Sequence, residues 1–218
     1  MVPTSLKGTE FETLLMDAAK REEAAGSLTM GRYGVDGMVV AGKNGGASQT
    51  LLVPSKPDFE GVLAGGRQFI IEAKVCSGPS FPMQKDKIKP RQVEHMLRRS
   101  AFGVPCYLLI YFAERRGQNF FHPAIIVAVP VSDASPIWRN FIEAHAEAKR
   151  TKTAVASQPA LHRDAAQDMG QLVPWRTPKG CRKALPDLLA FLWPEARQIT
   201  IPTVEPVTTA KDSELPWS

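Results

Sequence analysis

Two short apolar runs flank the pair Gly65-Gly66, and charged residues stand just outside them. Phe59, Val62 and Leu63 precede the glycines, and Phe69, Ile70 and Ile71 follow. Paired glycines supply the positive φ angles of a tight turn, so residues 57–63 and 68–75 are predicted to fold back as a β-hairpin. Folding the chain there brings Asp58, at the start of the first strand, beside Glu72-Ala73-Lys74 on the second. Side chains alternate along a strand, so Glu72 and Lys74 emerge on one face while Ala73 turns into the protein.

The rest of the chain reads as elements that could bury such a hairpin. Thr4 or Ser5 is the expected cap of a helix carrying Phe11, Leu14, Leu15 and Ala18 inward, with Glu10 and Glu12 near its start and an end near Gly26. Residues 31–47 are Gly-rich and read as strand, turn and strand, the turn at residues 42–46, with residues 49–53 as the return. Residues 77–90 read as a loop punctuated by Gly78, Pro79 and Pro82. A helix is predicted over 91–102 with Val93, Met96 and Leu97 inward, then buried strands over 105–112 and 124–129. A helix over 135–149 starts with Pro136 in its first turn. Residues 150–170 are polar and aperiodic and are expected to form a mobile loop. Residues 185–192 read as a last short helix, and residues 196–218 as a Pro- and Thr-rich tail. The fold class is α/β, a mixed central sheet flanked by helices, in one domain over residues 1–195.

Charge narrows the partners. Lys and Arg outnumber Asp and Glu, 27 to 22, for a formal net charge of +5. That balance suits a polyanion such as nucleic acid or an anionic surface, and equally a soluble basic protein. Cys76, Cys106 and Cys181 lie far apart with no CxxC or Cys/His pairing, against a disulfide framework or a zinc site. A reducing compartment is expected: the cytoplasm, or the host cytoplasm for a viral protein. Residues 104–113 and 123–131 are the most apolar stretches, each too short to span a bilayer, and residues 1–12 lack the apolar core of a signal peptide.

Asp58, Glu72 and Lys74 carry the chemistry. Two carboxylates converging with an amine at the end of a buried strand are costly without a purpose, because the like charges repel, and a divalent cation resolves that cost. Mg²⁺ takes one or two carboxylates, waters and substrate phosphate oxygens, and it activates water against a phosphate. Lys74 can position that water and stabilise the charge that develops. The same three residues on an exposed strand would be an ordinary solvated face. Three features favour the first reading: the apolar run before Glu72, the acid Glu12 on the preceding helix, and Gln92 opening the next one, where an amide can orient a water or a phosphate.

Five segments in order resemble the RecU-type Holliday junction resolvases of the PD-(D/E)XK nuclease superfamily. They are Lys7-Gly8-Thr9-Glu10-Phe11-Glu12, Asp58-Phe59-Glu60-Gly61-Val62, Phe69-Ile70-Ile71-Glu72-Ala73-Lys74, Ser80-Phe81-Pro82-Met83, and Ile88-Lys89-Pro90-Arg91-Gln92-Val93-Glu94-His95-Met96. The likeness covers most of residues 6–130. It implies a restriction-endonuclease-like fold, a homodimer, and Mg²⁺-dependent paired nicking of four-way DNA junctions, with Mn²⁺ as a substitute. It also implies a metal site of Asp58, Glu72, Ala73 and Glu12, with Lys74 assisting the attacking water and Gln92 orienting it. Two departures stand out. Arg91 occupies the place where the family usually has His, and the segment before Asp58 is shorter than the family's protruding stalk.

Other residues keep two readings. Glu10 competes with Glu12, and residues two apart on a helix face different ways. Glu60 is either a supporting acid or exposed, and His95 either structural or groove-facing. Lys85, Lys87, Lys89, Arg91, Arg98 and Arg99 are expected to neutralise DNA phosphates beside the site. No GxxxxGK[ST] pattern is present, so no nucleotide cofactor is expected. The competing functions are a nuclease of the same chemistry on ordinary duplex and a non-catalytic DNA-binding protein on the same fold.

Overall fold

The computed structural model describes residues 2–33, 36–40, 49–53, 56–84, 87–153 and 160–194. Helix α1 (Gly8–Ala24) leads to strand β1 (Leu28–Arg32), a hairpin of β2 (Asp36–Val40) and β3 (Gln49–Val53), and strands β4 (Phe59–Leu63) and β5 (Gln68–Cys76). Strand β6 (Ser80–Pro82), helix α2 (Pro90–Ala101) and strand β7 (Cys106–Phe112) follow. A small hairpin of β8 (Arg115–Arg116) and β9 (Phe121–His122) precedes β10 (Ile125–Pro130), helix α3 (Pro136–Thr151), β11 (Ala160–His162) and helix α4 (Arg163–Met169). The chain continues through β12 (Gln171–Val173), β13 (Trp175–Arg176), β14 (Leu185–Pro186) and helix α5 (Leu188–Leu192).

Six strands form one mixed sheet in the order β1-β4-β5-β7-β10-β12. The β5–β7 pair is parallel and the other pairs are antiparallel. A parallel pair needs a crossover, which α2 supplies. Helices cover both faces, so the fold is α/β with a mixed sheet flanked by helices. Alternation sorts β5 and β7 between two cores. Phe69, Ile71, Ala73, Leu109 and Tyr111 pack with α1 and α5. Ile70, Cys76, Leu108, Ile110 and Phe112 pack with Val93 and Met96 of α2 and with Trp138 and Phe141 of α3. Glu72 and Lys74 are therefore in register with the α2 face, and α1 lies on the other.

The hairpin predicted around the paired glycines is present as β4 and β5, with φ of +92° at Gly65 and +85° at Gly66. Four boundaries differ from the sequence reading. Helix α1 is capped at Lys7, because residues before it run along the sheet: Pro3 O accepts the Tyr111 hydroxyl at 2.7 Å and Thr4 O accepts the Glu114 N–H at 2.9 Å. Residues 77–90 include the short strand β6, which pairs with β11. Residues 160–169, read as part of a mobile loop, form β11 and α4, held by buried Leu161 and Ala166 and by Arg163 Nη2 donating to Pro123 O at 2.7 Å. Two apolar anchors in ten residues leave no periodicity to detect. Residues 185–192 split into β14 and a five-residue helix, because Leu185 and Pro186 pair with β13. The turn at residues 42–46, Lys85 and the tail at 196–218 lie outside the described residues.

Gly61 sits in β4 between Met30 of β1 and Phe69 of β5, and the Phe69 ring lies over it. A Cβ there would strike that ring and come within 2.6 Å of the Thr29 carbonyl oxygen. Gly61→Ala is expected to cost about 1–3 kcal/mol by overpacking, seen as a lower urea midpoint by circular dichroism. An unchanged midpoint would show that the ring moves aside at no cost.

Candidate active site

Glu72 is inaccessible to solvent, at 0% exposure, yet it keeps its polar partners. Its Oε2 accepts the Asp58 backbone N–H at 3.1 Å and the Gln92 amide N–H at 3.0 Å, and its Oε1 accepts the Lys74 ammonium. Lys74 Nζ also lies 3.5 Å from Asp58 Oδ2, the atom that accepts the Ala73 N–H at 2.9 Å. Asp58, Glu72 and Lys74 thus share one cluster, Ala73 joins it through its main chain, and Gln92 closes it from α2. A buried carboxylate without such partners would cost several kcal/mol.

The register explains the convergence. Phe59 pairs with Ile71, which sets Asp58 across from Glu72 and Ala73. Gln92 is the third residue of α2, and its amide is committed on both sides. Its Oε1 accepts the Lys89 backbone N–H at 3.1 Å, while Nε2 donates to Lys56 O at 3.2 Å as well as to Glu72. Gln92 therefore positions Glu72, and both acceptors of its amide nitrogen are protein oxygens. The Lys56 carbonyl is the contact that sequence reasoning missed, since nothing in a residue's type marks its main-chain oxygen.

Electrostatics follows from the count of charges. Burial pushes the Glu72 carboxyl up, Lys74 opposes the rise, Asp58 adds to it, and the balance lies at about 7. Burial works against the Lys74 charge, but Glu72 and Asp58 outweigh it and hold the ammonium charged to higher pH. One ammonium for two carboxylates leaves a net negative pocket. A proton on Glu72 or a cation between the carboxylates would neutralise it.

That donor set fits a magnesium-type ion, which uses one or two carboxylates and keeps its waters. It does not fit a cage supplied wholly by protein: among the described residues no group of three His, Cys, Asp or Glu is placed to hold a metal. Glu12 is not brought to the cluster. Its carboxylate pairs with Arg32 at 3.3 Å, and Arg32 lies over the Phe59 ring, on the α1 side of the sheet. Glu10 turns back to accept the Lys7 N–H at 2.7 Å and so caps the start of the helix.

The surroundings are polar. Glu60 pairs with Arg99 at 3.3 Å, and Arg99 also donates to Gln68 Oε1 at 2.6 Å, so Arg99 is engaged with β4 and β5. Burial, and after it the Glu60 carboxylate, raise the pKa of the Tyr33 phenol. The His95 ring meets Tyr33 edge-on at 6.1 Å, and burial with Arg98 and Arg99 lowers its pKa, which favours the neutral imidazole. Lys87, Lys89, Arg91 and Arg98 are exposed at the start and on the outer side of α2. Compared with models of known protein families and with curated proteins, the chain matches none.

The raised Glu72 pKa has a definite sign. The folded chain holds this proton more tightly, with a pKa of about 7 against an ordinary 4.5. The stabilisation is complete below the unfolded value and is lost as pH rises through the folded one. In metal-free protein the difference in stability between the unmodified chain and Glu72→Gln should therefore shift by on the order of 2–3 kcal/mol between pH 5 and 8. It should shift toward relative destabilisation of the unmodified chain. A magnesium ion competes with the proton, so its affinity should rise over the same interval. Parallel stability curves for the two proteins would show that Glu72 titrates normally.

Proposed function

We propose that the chain is a metal-dependent DNA endonuclease of the PD-(D/E)XK type with a restriction-endonuclease-like fold, acting as a junction resolvase. The observation that carries the reading is the shared cluster of Asp58, Glu72 and Lys74 on adjacent strands, with Glu72 fixed by Gln92 at 3.0 Å. A solvated face would not bury a carboxylate completely or tie it to a second element. The sheet and its crossover helix, the ordered motifs and the exposed cations near α2 support the same assignment. Paired cuts in two opposed strands call for two sites, so a homodimer belongs to the reading.

Asp58 and Glu72 would hold magnesium, with the main chain at Ala73 alongside. The ion would supply charge neutralisation at a phosphate and a more acidic water. The protein's own groups do the rest. Glu72 is kept in one orientation by three donors, so its lone pairs need no reorganisation. Lys74 carries its charge on a side chain anchored by burial, where it can donate to an attacking water or to a phosphoryl oxygen. The exposed Lys87, Lys89, Arg91 and Arg98 would meet backbone phosphates, which makes binding fall steeply with salt.

The test compares a four-way junction with a linear duplex of the same sequence, in magnesium and in chelator. The junction should be nicked in pairs at symmetric places, only with metal, and faster than the duplex. Asp58→Asn should lose at least about 100-fold in cleavage while DNA binding survives, and Lys74→Ala should lose a similar factor with metal binding retained. Equal cutting of both DNAs would remove junction selectivity and leave the nuclease. No cutting with Mg²⁺ or Mn²⁺ would remove the enzyme and favour a DNA-binding protein on this fold.

A further inference from the structure

The hairpin of β8 and β9 places two exposed aromatic rings at a tip, and the catalytic reading does not use them. Phe120 is 45% exposed and Phe121 57%. Tips of soluble proteins seldom present adjacent phenyl rings without a partner. Each ring here lies with a guanidinium: Arg115 sits 5.4 Å from the Phe120 centroid, and Arg116 sits 5.1 Å from that of Phe121. Arg115 pairs across the hairpin with His122, whose ring is also 5.4 Å from Phe120. Arg116 pairs with Phe121. The hairpin is consequently two-sided, with a phenyl and a cation on either face.

Its base is fixed to the rest of the fold. Ala113 N–H donates to Cys76 O at 2.9 Å, at the end of β5, and Arg163 holds Pro123 O at 2.7 Å. Ile110 pairs with Lys74, so at most about 18 Å of chain separates the register of the candidate site from Arg115. That distance is comparable with the width of a duplex. Arg116 also bonds Glu114 at 2.6 Å, a single acid beside two arginines.

We propose that this hairpin is a DNA-binding wedge, whose Phe120 and Phe121 stack on bases left unstacked at a branch point while Arg115 and Arg116 meet the flanking phosphates. The proposal rests on the nuclease reading and names the element that would give it structure selectivity. Aromatic rings take up any base, because every base offers a π-face, and apolar wedges enter opened steps far more cheaply than stacked ones. The positive charge on both faces matches a polyanion and disfavours a second copy of the same hairpin, which would bring four arginines together.

The test uses the full chain with metal chelated, and DNA carrying 2-aminopurine beside the branch of a four-way junction or at the matching place in a duplex. The unmodified chain should change the junction's fluorescence and leave the duplex signal nearly constant. Phe120→Ala with Phe121→Ala should lose that change and bind the junction at least about tenfold more weakly, with duplex affinity little altered. Phe120→Trp with Phe121→Trp should restore both. The rings are exposed, so the alanine variant should melt as the unmodified chain does.

Normal junction binding and an unchanged signal in the alanine variant would overturn the wedge and leave the nuclease standing. A change in sedimentation with DNA binding intact would overturn it too, and would assign the tip to protein contact. An unmodified chain that binds neither DNA, with or without magnesium, would remove both proposals.

Discussion

Everything at the site depends on how one buried carboxylate is satisfied. Glu72 draws a backbone N–H from the start of β4, an ammonium from its own strand and an amide from α2. Those three donors fix the offset of two strands and the start of a helix at once. Gln92 makes the coupling explicit, since the same side chain that holds Glu72 also accepts the first free N–H of its helix. The helix start and the site cannot shift independently, so the geometry is preorganised by the requirement that no buried polar group stay unpaired.

The sheet then separates the tasks of its two faces. Odd-numbered residues of β5 through Ala73 are packed under α1 and α5, while Ile70, Glu72 and Lys74 belong to the α2 side. Apolar packing on the first face carries stability without touching the polar cluster. Glu12 belongs with that first face, which is why its carboxylate finds Arg32 at the edge of the sheet and not the pair formed by Asp58 and Glu72.

Legibility in the sequence followed the same physics. The Gly65-Gly66 turn fixed the register between β4 and β5, and register alone brings Asp58 to Glu72 and Lys74, so that core of the site could be read from spacing. Gln92 could be placed near it because it opens the helix that follows the second strand of the hairpin. Its role could not be read from residue type, because that role depends on the Lys56 main-chain oxygen. Glu12 was misleading for a different reason: helical periodicity says which residues face a sheet, but not which face of the sheet the helix covers. The segment at 160–169 escaped because Leu161 and Ala166 are too few to make a period, although Leu161 is buried once β6 offers an edge and Ala166 once α4 packs on β10.

Charge gives the last constraint. The chain as a whole is positive, yet the cluster of two carboxylates and one ammonium is negative at its centre. A phosphate drawn in by Lys89, Arg91 and Arg98 would meet repulsion at Asp58 and Glu72, and in a pocket of low dielectric that repulsion is large. Under the proposed function a divalent cation reverses the sign of the pocket and so admits the phosphate. Attraction at the periphery and admission at the centre are then separate properties of separate residues, which is the physical reason that binding and cutting should come apart on mutation.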